Sequence, residues 1–266
     1  MTGELGAPNR VRSMHPQKFG MWLFLVSVVM INPNLSDIDF IISIKDPLKA
    51  GEIEAIGKLH AEIERETIQP NLNGIYILES QIGQSADKID RLTYYHEGKL
   101  YTVSNQRSYY EINPITWAEL KLHGQSFYGQ ASKSWNISID WKQVDQYLFD
   151  NINSYWKKWL VESENYFHPY FYQTLFRASE NAWCVAGVAR QLYTLKEQKI
   201  ASKRYACEYL IERIPEKFHK ILMDTINFRL GKTVRYGWLQ KKETLLFLQY
   251  GIQQFNLIYK EKYKDQ

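Results

Sequence analysis

Asp37 and Asp39 are separated by a single residue and lead into the apolar run Phe40-Ile41-Ile42-Ser43-Ile44. Side chains alternate faces along a strand, so the two carboxylates point one way while Ile38 and Phe40 point the other. Like charges side by side repel, and a cation between them removes that cost. Paired oxygen ligands suit Mg²⁺, which keeps several waters and also takes phosphate oxygens from a substrate. The chemistry open to these residues is metal-assisted handling of a nucleoside triphosphate. Asp-x-Asp also occurs in ordinary polar turns, so the pair alone leaves a plain turn as the alternative.

Several elements must position that pair. Strands are expected at Trp22–Met30, Ile38–Ile44, Leu72–Leu78 and Arg91–His96, with Lys99–Val103 returning across the Glu97-Gly98 turn. A helix is expected after Pro47, its residues Ile53, Ile56, Leu59 and Ile63 packing on one face of the sheet. From about Asp140 onward strand signals give way to helices. These are expected over Asp140–Glu162, Glu180–Glu197, Ser202–Arg213, Pro215–Leu230 and Leu239–Lys260, with Ser202 as an N-cap and Gly231 just past a helix end. Gly124, Gly129 and the polar stretch Gln130–Ser134 interrupt the periodicity, which divides the chain into residues 1–135 and 136–266. The expected class is α+β: a small mixed-sheet domain followed by an all-α helical bundle.

Composition narrows the field. The 266 residues are 45% hydrophobic and 15% aromatic, ample for a core with rings left over to line a cleft. The net charge of +4 is mild, and no Lys/Arg block is dense enough for a nucleic-acid tract. Cys184 and Cys207 stand apart from any Cys/His cluster and read as buried free thiols. Met21 to Ile31 is apolar but too short to span a bilayer, and no small-residue cleavage site follows it. A cytoplasmic protein with neither membrane nor nucleic acid as partner is expected.

Ser36-Asp37-Ile38-Asp39-Phe40 after Asn32-Pro33-Asn34 resembles the catalytic strand of the polymerase-β-like nucleotidyltransferases. The helical half carries Glu180-Asn181, Val188-Ala189-Arg190-Gln191-Leu192-Tyr193-Thr194, Lys199-Ile200-Ala201-Ser202-Lys203, Glu208-Tyr209-Leu210 and Arg213-Ile214-Pro215. It resembles the helical domain of the aminoglycoside 3''-adenylyltransferases, the streptomycin/spectinomycin resistance enzymes. Asn113-Pro114-Ile115-Thr116-Trp117, His123-Gly124 and Tyr128-Gly129 resemble the linking region of a related branch. The resemblance implies Mg²⁺-dependent transfer of an adenylyl group from ATP to a hydroxyl of an aminoglycoside-type acceptor by a monomeric enzyme. It assigns Asp37 and Asp39 to metal and catalysis, Ser36, Arg190 and Lys203 to the nucleotide, and Glu180 to the cationic acceptor. Lys is a point-charge phosphate binder and Arg adds a planar fork, so both cations suit that role.

The chain departs from the family pattern in three places. The family has a Gly-Ser pair about a dozen residues before the first Asp, where this chain has Phe24-Leu25, or Val26-Ser27 with a two-residue deletion. The family's N-terminal helix is replaced by Met1–Gly20, which holds Pro8 and Pro16 and reads as a loop or arm. Asn73 stands where a carboxylate usually serves as general base, and an amide cannot accept a proton at neutral pH. Glu79, six residues along, is about 20 Å away at strand rise. These departures set a second expectation beside the first: a degenerate, non-catalytic member or nucleotide-binding module. A third keeps the adenylyl transfer and changes the acceptor. Trp183 and Tyr193 could line the cleft, but aromatic residues at helical spacing are more often core, and they are left out of the site.

Overall fold

The computed structural model describes residues 38–66, 72–104, 112–127, 129 and 131–264, together with the backbone of residues 22–26. The expected arm Met1–Gly20, the end of the first expected strand, Ser36 and Asp37 lie outside the described residues.

Among the described residues, six strands form one mixed sheet: β1 (Trp22–Val26), β2 (Ile38–Ile44), β3 (Leu72–Leu78), β4 (Arg91–His96), β5 (Lys99–Ser104) and β6 (Gln125–Ser126). Their order is β5-β4-β3-β2-β1-β6. β2 and β3 run parallel, and helix α1 (Ala50–Glu66) makes the crossover that a parallel pair requires. The tight β4–β5 hairpin turns through Glu97 and Gly98, both with positive φ (46° and 78°), the geometry a two-residue turn needs.

α1 covers one face of the sheet, where Ile56 and His60 meet Phe40, Ile42, Ile44, Tyr76 and Tyr95. The expected stripe is corrected at one position: Leu59 is 47% exposed and His60 takes its place in the interior. A buried imidazole is tolerated there because its Nε2 pairs with the Tyr76 hydroxyl at 2.6 Å and its ring stacks between Phe40 and Tyr95.

The other face is covered by α2 (Pro114–His123), through Trp117 and Leu120, and by Trp135 and Ile137. The sequence resemblance marks this stretch only as a linking region. Its start signal is nonetheless present: Asn113 accepts the Ile115 and Thr116 N–H groups at 2.9 and 3.0 Å, and Pro114 fills the first helical position.

The helical half contains α3 (Trp141–Asn151), a π-helical turn (Ile152–Trp156), α4 (Lys157–Glu164), α5 (Pro169–Phe176), α6 (Ala178–Glu197), α7 (Lys203–Ile211), α8 (His219–Arg229) and α9 (Trp238–Lys262). The helix expected over Asp140–Glu162 is therefore interrupted, and α5 was not foreseen. α6 is the central element, packed against α7, α8 and α9 with Cys184, Val185, Val188, Ala189 and Leu192 fully or almost fully buried. Both cysteines are buried free thiols. Ser202 caps α7 by accepting the Tyr205 N–H at 3.1 Å, and Gly231 closes α8 at φ 74°. Among the described residues, no helix is long and apolar enough to cross a membrane.

Candidate active site

Asp39 is exposed at the start of β2, while Phe40 to Ile44 are buried. Ile41, two residues along, packs into the cluster beneath α2, so Asp39 faces the α2 side of the sheet. The parallel register sets Asn73 of β3 directly beside Asp39, and Ile75 shows that Asn73 shares this face. An amide thus stands next to the first described carboxylate. Its Oδ1 accepts the backbone N–H of Glu97 at 3.4 Å, which ties β3 to the β4–β5 turn. Glu79 opens a 3-10 turn beyond the far end of β3, away from this row. Phe24 and Leu25 lie within β1, opposite Ile41 and Phe40, and Val26 is opposite Asp39.

Among the described residues no three His, Cys, Asp or Glu side chains gather as a closed metal site. Mg²⁺ does not need one, because it is commonly held by one or two carboxylates plus substrate phosphates. Asp39, exposed at a strand start, fits that open donor set, with Asp37 two residues before it in the sequence.

A cleft of about 310 Å³ opens between α2 and the helical half. α6 supplies one wall through Trp183, Gly187, Arg190, Gln191 and Thr194, residues spaced so that they share a face. Lys203, the first residue of α7, joins the same cleft. The two cations singled out in the sequence therefore converge. Arg190 is held by Glu119 of α2, with Nη2 to Oε2 at 3.9 Å. Arg229 stands nearby: burial, with the Arg190 charge adding to it, pulls its guanidinium below the ordinary value.

The opposite wall comes from the π-helical turn, which brings Tyr155 and Trp156 into the cleft beside Tyr147 and Asn151. Such turns alter the side-chain phase of a helix and are frequent at functional sites. Gly187 makes room for this wall, since a Cβ there would sit 2.4 Å from the Trp156 ring. Trp183 packs on Trp156 with ring centroids 4.9 Å apart. It lines the cleft instead of the core, while Tyr193 is buried as expected. Glu180 lies one turn before Trp183 on α6. Together with burial, the main cause, and Tyr170, its charge pushes the Tyr155 hydroxyl up to about 12. The cleft also presents two buried polar atoms without partners among the described residues, the Trp156 indole N–H and Gln191 Oε1.

Arg190 and Lys203 are thus brought together, with Glu180 at the same helical face. Asp39 and Asn73 belong to the sheet and are not part of that lining. Sequence reasoning missed Glu119, Asn151, Tyr155, Trp156 and Gln191. A residue-by-residue face count on α6 would have found Gln191, whereas the π-helical turn leaves no periodic signal.

Residues 148–251 match the family described as aminoglycoside adenylyltransferase, C-terminal domain. In fold, the chain is similar to the spectinomycin adenyltransferase AAD(9) from Enterococcus faecialis, a crystal structure with ATP and spectinomycin. The TM-score is 0.63 and identity 15%, over 92% of this chain and 94% of that one. A stretch of 104 residues, 39% of this chain, is 31% identical to a glycine–tRNA ligase of Mycoplasmopsis synoviae (strain 53), and it spans 22% of that protein. Most of the helical half that walls the cleft, residues 148–251, is thus similar to the aminoglycoside adenylyltransferase C-terminal domain.

Proposed function

We propose that this chain is a Mg²⁺-dependent O-adenylyltransferase that moves the adenylyl group of ATP to a hydroxyl of an aminoglycoside-type acceptor. The observation that carries the reading is the convergence of Arg190 and Lys203 in one aromatic-walled cleft, within a stretch that matches the aminoglycoside adenylyltransferase C-terminal domain. A triphosphate needs several positive charges held in place, and two cations on adjoining helix segments provide them, Arg190 by exchanging Glu119 for phosphate.

In this reading Asp37 and Asp39 hold Mg²⁺, which when bound neutralises phosphate charge and polarises the α-phosphorus. Arg190 and Lys203 grip the phosphates, Ser36 contacts the nucleotide, and Glu180 orients a cationic acceptor against the Trp183 and Tyr155 rings. The acceptor oxygen attacks the α-phosphorus in line and pyrophosphate leaves. A chain with this activity sits in the cytoplasm, where ATP is available, and works as a monomer with the acceptor as its partner.

The test is pyrophosphate release with ATP, Mg²⁺ and streptomycin or spectinomycin, by wild type and Asp37→Asn. Release by wild type and its loss in the variant are expected; equal release by both would remove the metal assignment. A second reading, a nucleotide-binding module without transfer, draws on Phe24 and Leu25, which lie in the β1 ladder where the resemblance places a glycine. Metal-dependent ATP binding with no pyrophosphate release for any acceptor would favour it.

A further inference from the structure

The row begun by Asp39 and Asn73 continues across the sheet. In the antiparallel β3–β4 ladder Ile75 pairs with Tyr94 and Gly74 with Tyr95, which sets His96 opposite Asn73. The alternation of side chains fixes its face. Leu92 and Tyr94 belong to the cluster on the α2 side and Tyr95 to the one on the α1 side, so His96 stands on the face of Asn73 and Asp39. With neighbouring strands about 4.8 Å apart, Asp39, Asn73 and His96 form a line about 10 Å long. The His96 side chain is 47% exposed, and its Nε2 lies 3.9 Å from the Glu97 carboxylate. The Glu97 N–H bond to Asn73 Oδ1 fixes the turn that carries His96 against the amide.

We propose that His96 is the general base for the acceptor hydroxyl, in the role that the amide of Asn73 cannot fill. The proposal rests on the adenylyl-transfer reading above. The acceptor O–H gives its proton to an imidazole nitrogen as the oxygen forms a bond to the α-phosphorus. The bond from that phosphorus to the bridging oxygen of the β-phosphate breaks, and its electron pair leaves with pyrophosphate. The imidazolium then returns its proton to water. An imidazole ordinarily titrates near neutrality, which suits proton transfer at working pH. The charged groups around it are Glu97 in its own turn, Lys99 opposite it on β5, Asp39 two strands away and Glu64 of α1, which approaches Gly98 from the other face.

The experiment compares pyrophosphate release by wild type, His96→Gln, Asn73→Asp and the double variant Asn73→Asp/His96→Gln, using ATP, Mg²⁺ and spectinomycin or streptomycin. His96→Gln is expected to lower kcat by about 100-fold or more with KM for ATP changed less than about threefold, and to remove the acidic limb of the pH profile. Added imidazole should recover at least about tenfold, and the double variant should return to within about tenfold of wild type. The exposed position predicts an unchanged unfolding midpoint. Retention of kcat within about threefold, or a loss that neither imidazole nor Asn73→Asp repairs, overturns the assignment. If wild type is silent and Asn73→Asp transfers, the role of His96 falls while adenylyl transfer stands. If neither transfers, the adenylyl-transfer reading falls and takes this proposal with it.

Discussion

Arg190 on α6 lies 3.9 Å from Glu119 on α2, so the cation assigned to nucleotide phosphate already holds a carboxylate from the sheet side. Both side chains are mostly buried, at 24% and 17% exposure, so the pair is less screened than a surface bridge. An incoming triphosphate must compete with Glu119 for the guanidinium. Glu119→Gln should therefore tighten ATP binding several-fold, about 1 kcal/mol, while Arg190→Ala weakens it tenfold or more. Titration calorimetry of both variants checks this. Weaker binding by Glu119→Gln would show that Glu119 positions Arg190 instead of competing for it.

Gly187 and Gly57 give a paired test of the cleft wall. A Cβ at Gly187 would sit 2.4 Å from the Trp156 ring, whereas one at Gly57 meets nothing within 4 Å. Gly187→Ala should cost about 1–3 kcal/mol through overpacking, and Gly57→Ala should add about 0.5–1 kcal/mol from helix propensity. Urea unfolding of both variants measures the contrast. Equal shifts of the same sign would show that the Trp156 wall yields freely.

His60 predicts how stability follows pH. Burial, its largest influence, holds the imidazole down at about 4 against an ordinary 6.5, while the Glu64 charge acts the other way. The unfolded chain therefore binds more protons between those values. This contribution is complete above about pH 6.5 and is lost as pH falls toward 4, amounting to about 2 kcal/mol between pH 7.5 and 5. Unfolding free energies of wild type and His60→Phe at the two pH values isolate it. An identical loss in the variant would assign the acid sensitivity elsewhere.

Asp145 is fully buried on α3 and accepts from Lys262 Nζ at 2.6 Å and the Tyr263 hydroxyl at 2.7 Å, tying α3 to the end of α9. Ending the chain at Lys260 would leave that carboxylate buried without both partners. A loss of about 3 kcal/mol is expected, with a similar loss for Lys262→Met/Tyr263→Phe. An unchanged unfolding midpoint in both would show that Asp145 recruits water instead.

Legibility in the sequence follows the range of the forces involved. β2, β3 and β4 were readable to the residue because β-branched and aromatic runs bounded by turns depend on nearby residues alone. His60 was unreadable as core because its partner, the Tyr76 hydroxyl, lies on another element. The π-helical turn at Ile152–Trp156 is set by packing against α6 and α9, so its shift in phase left no pattern. In the candidate site, Arg190 and Lys203 were legible only through a family motif. Glu119, Tyr155 and Trp156 enter the cleft by tertiary placement.

The most direct test of the central claim is calorimetric titration of ATP with Mg²⁺ into wild type, Lys203→Ala and Asp39→Asn. Metal-dependent binding by wild type, weakened tenfold or more in both variants, is the predicted result. Binding that is absent from wild type, or indifferent to both substitutions, would contradict the account.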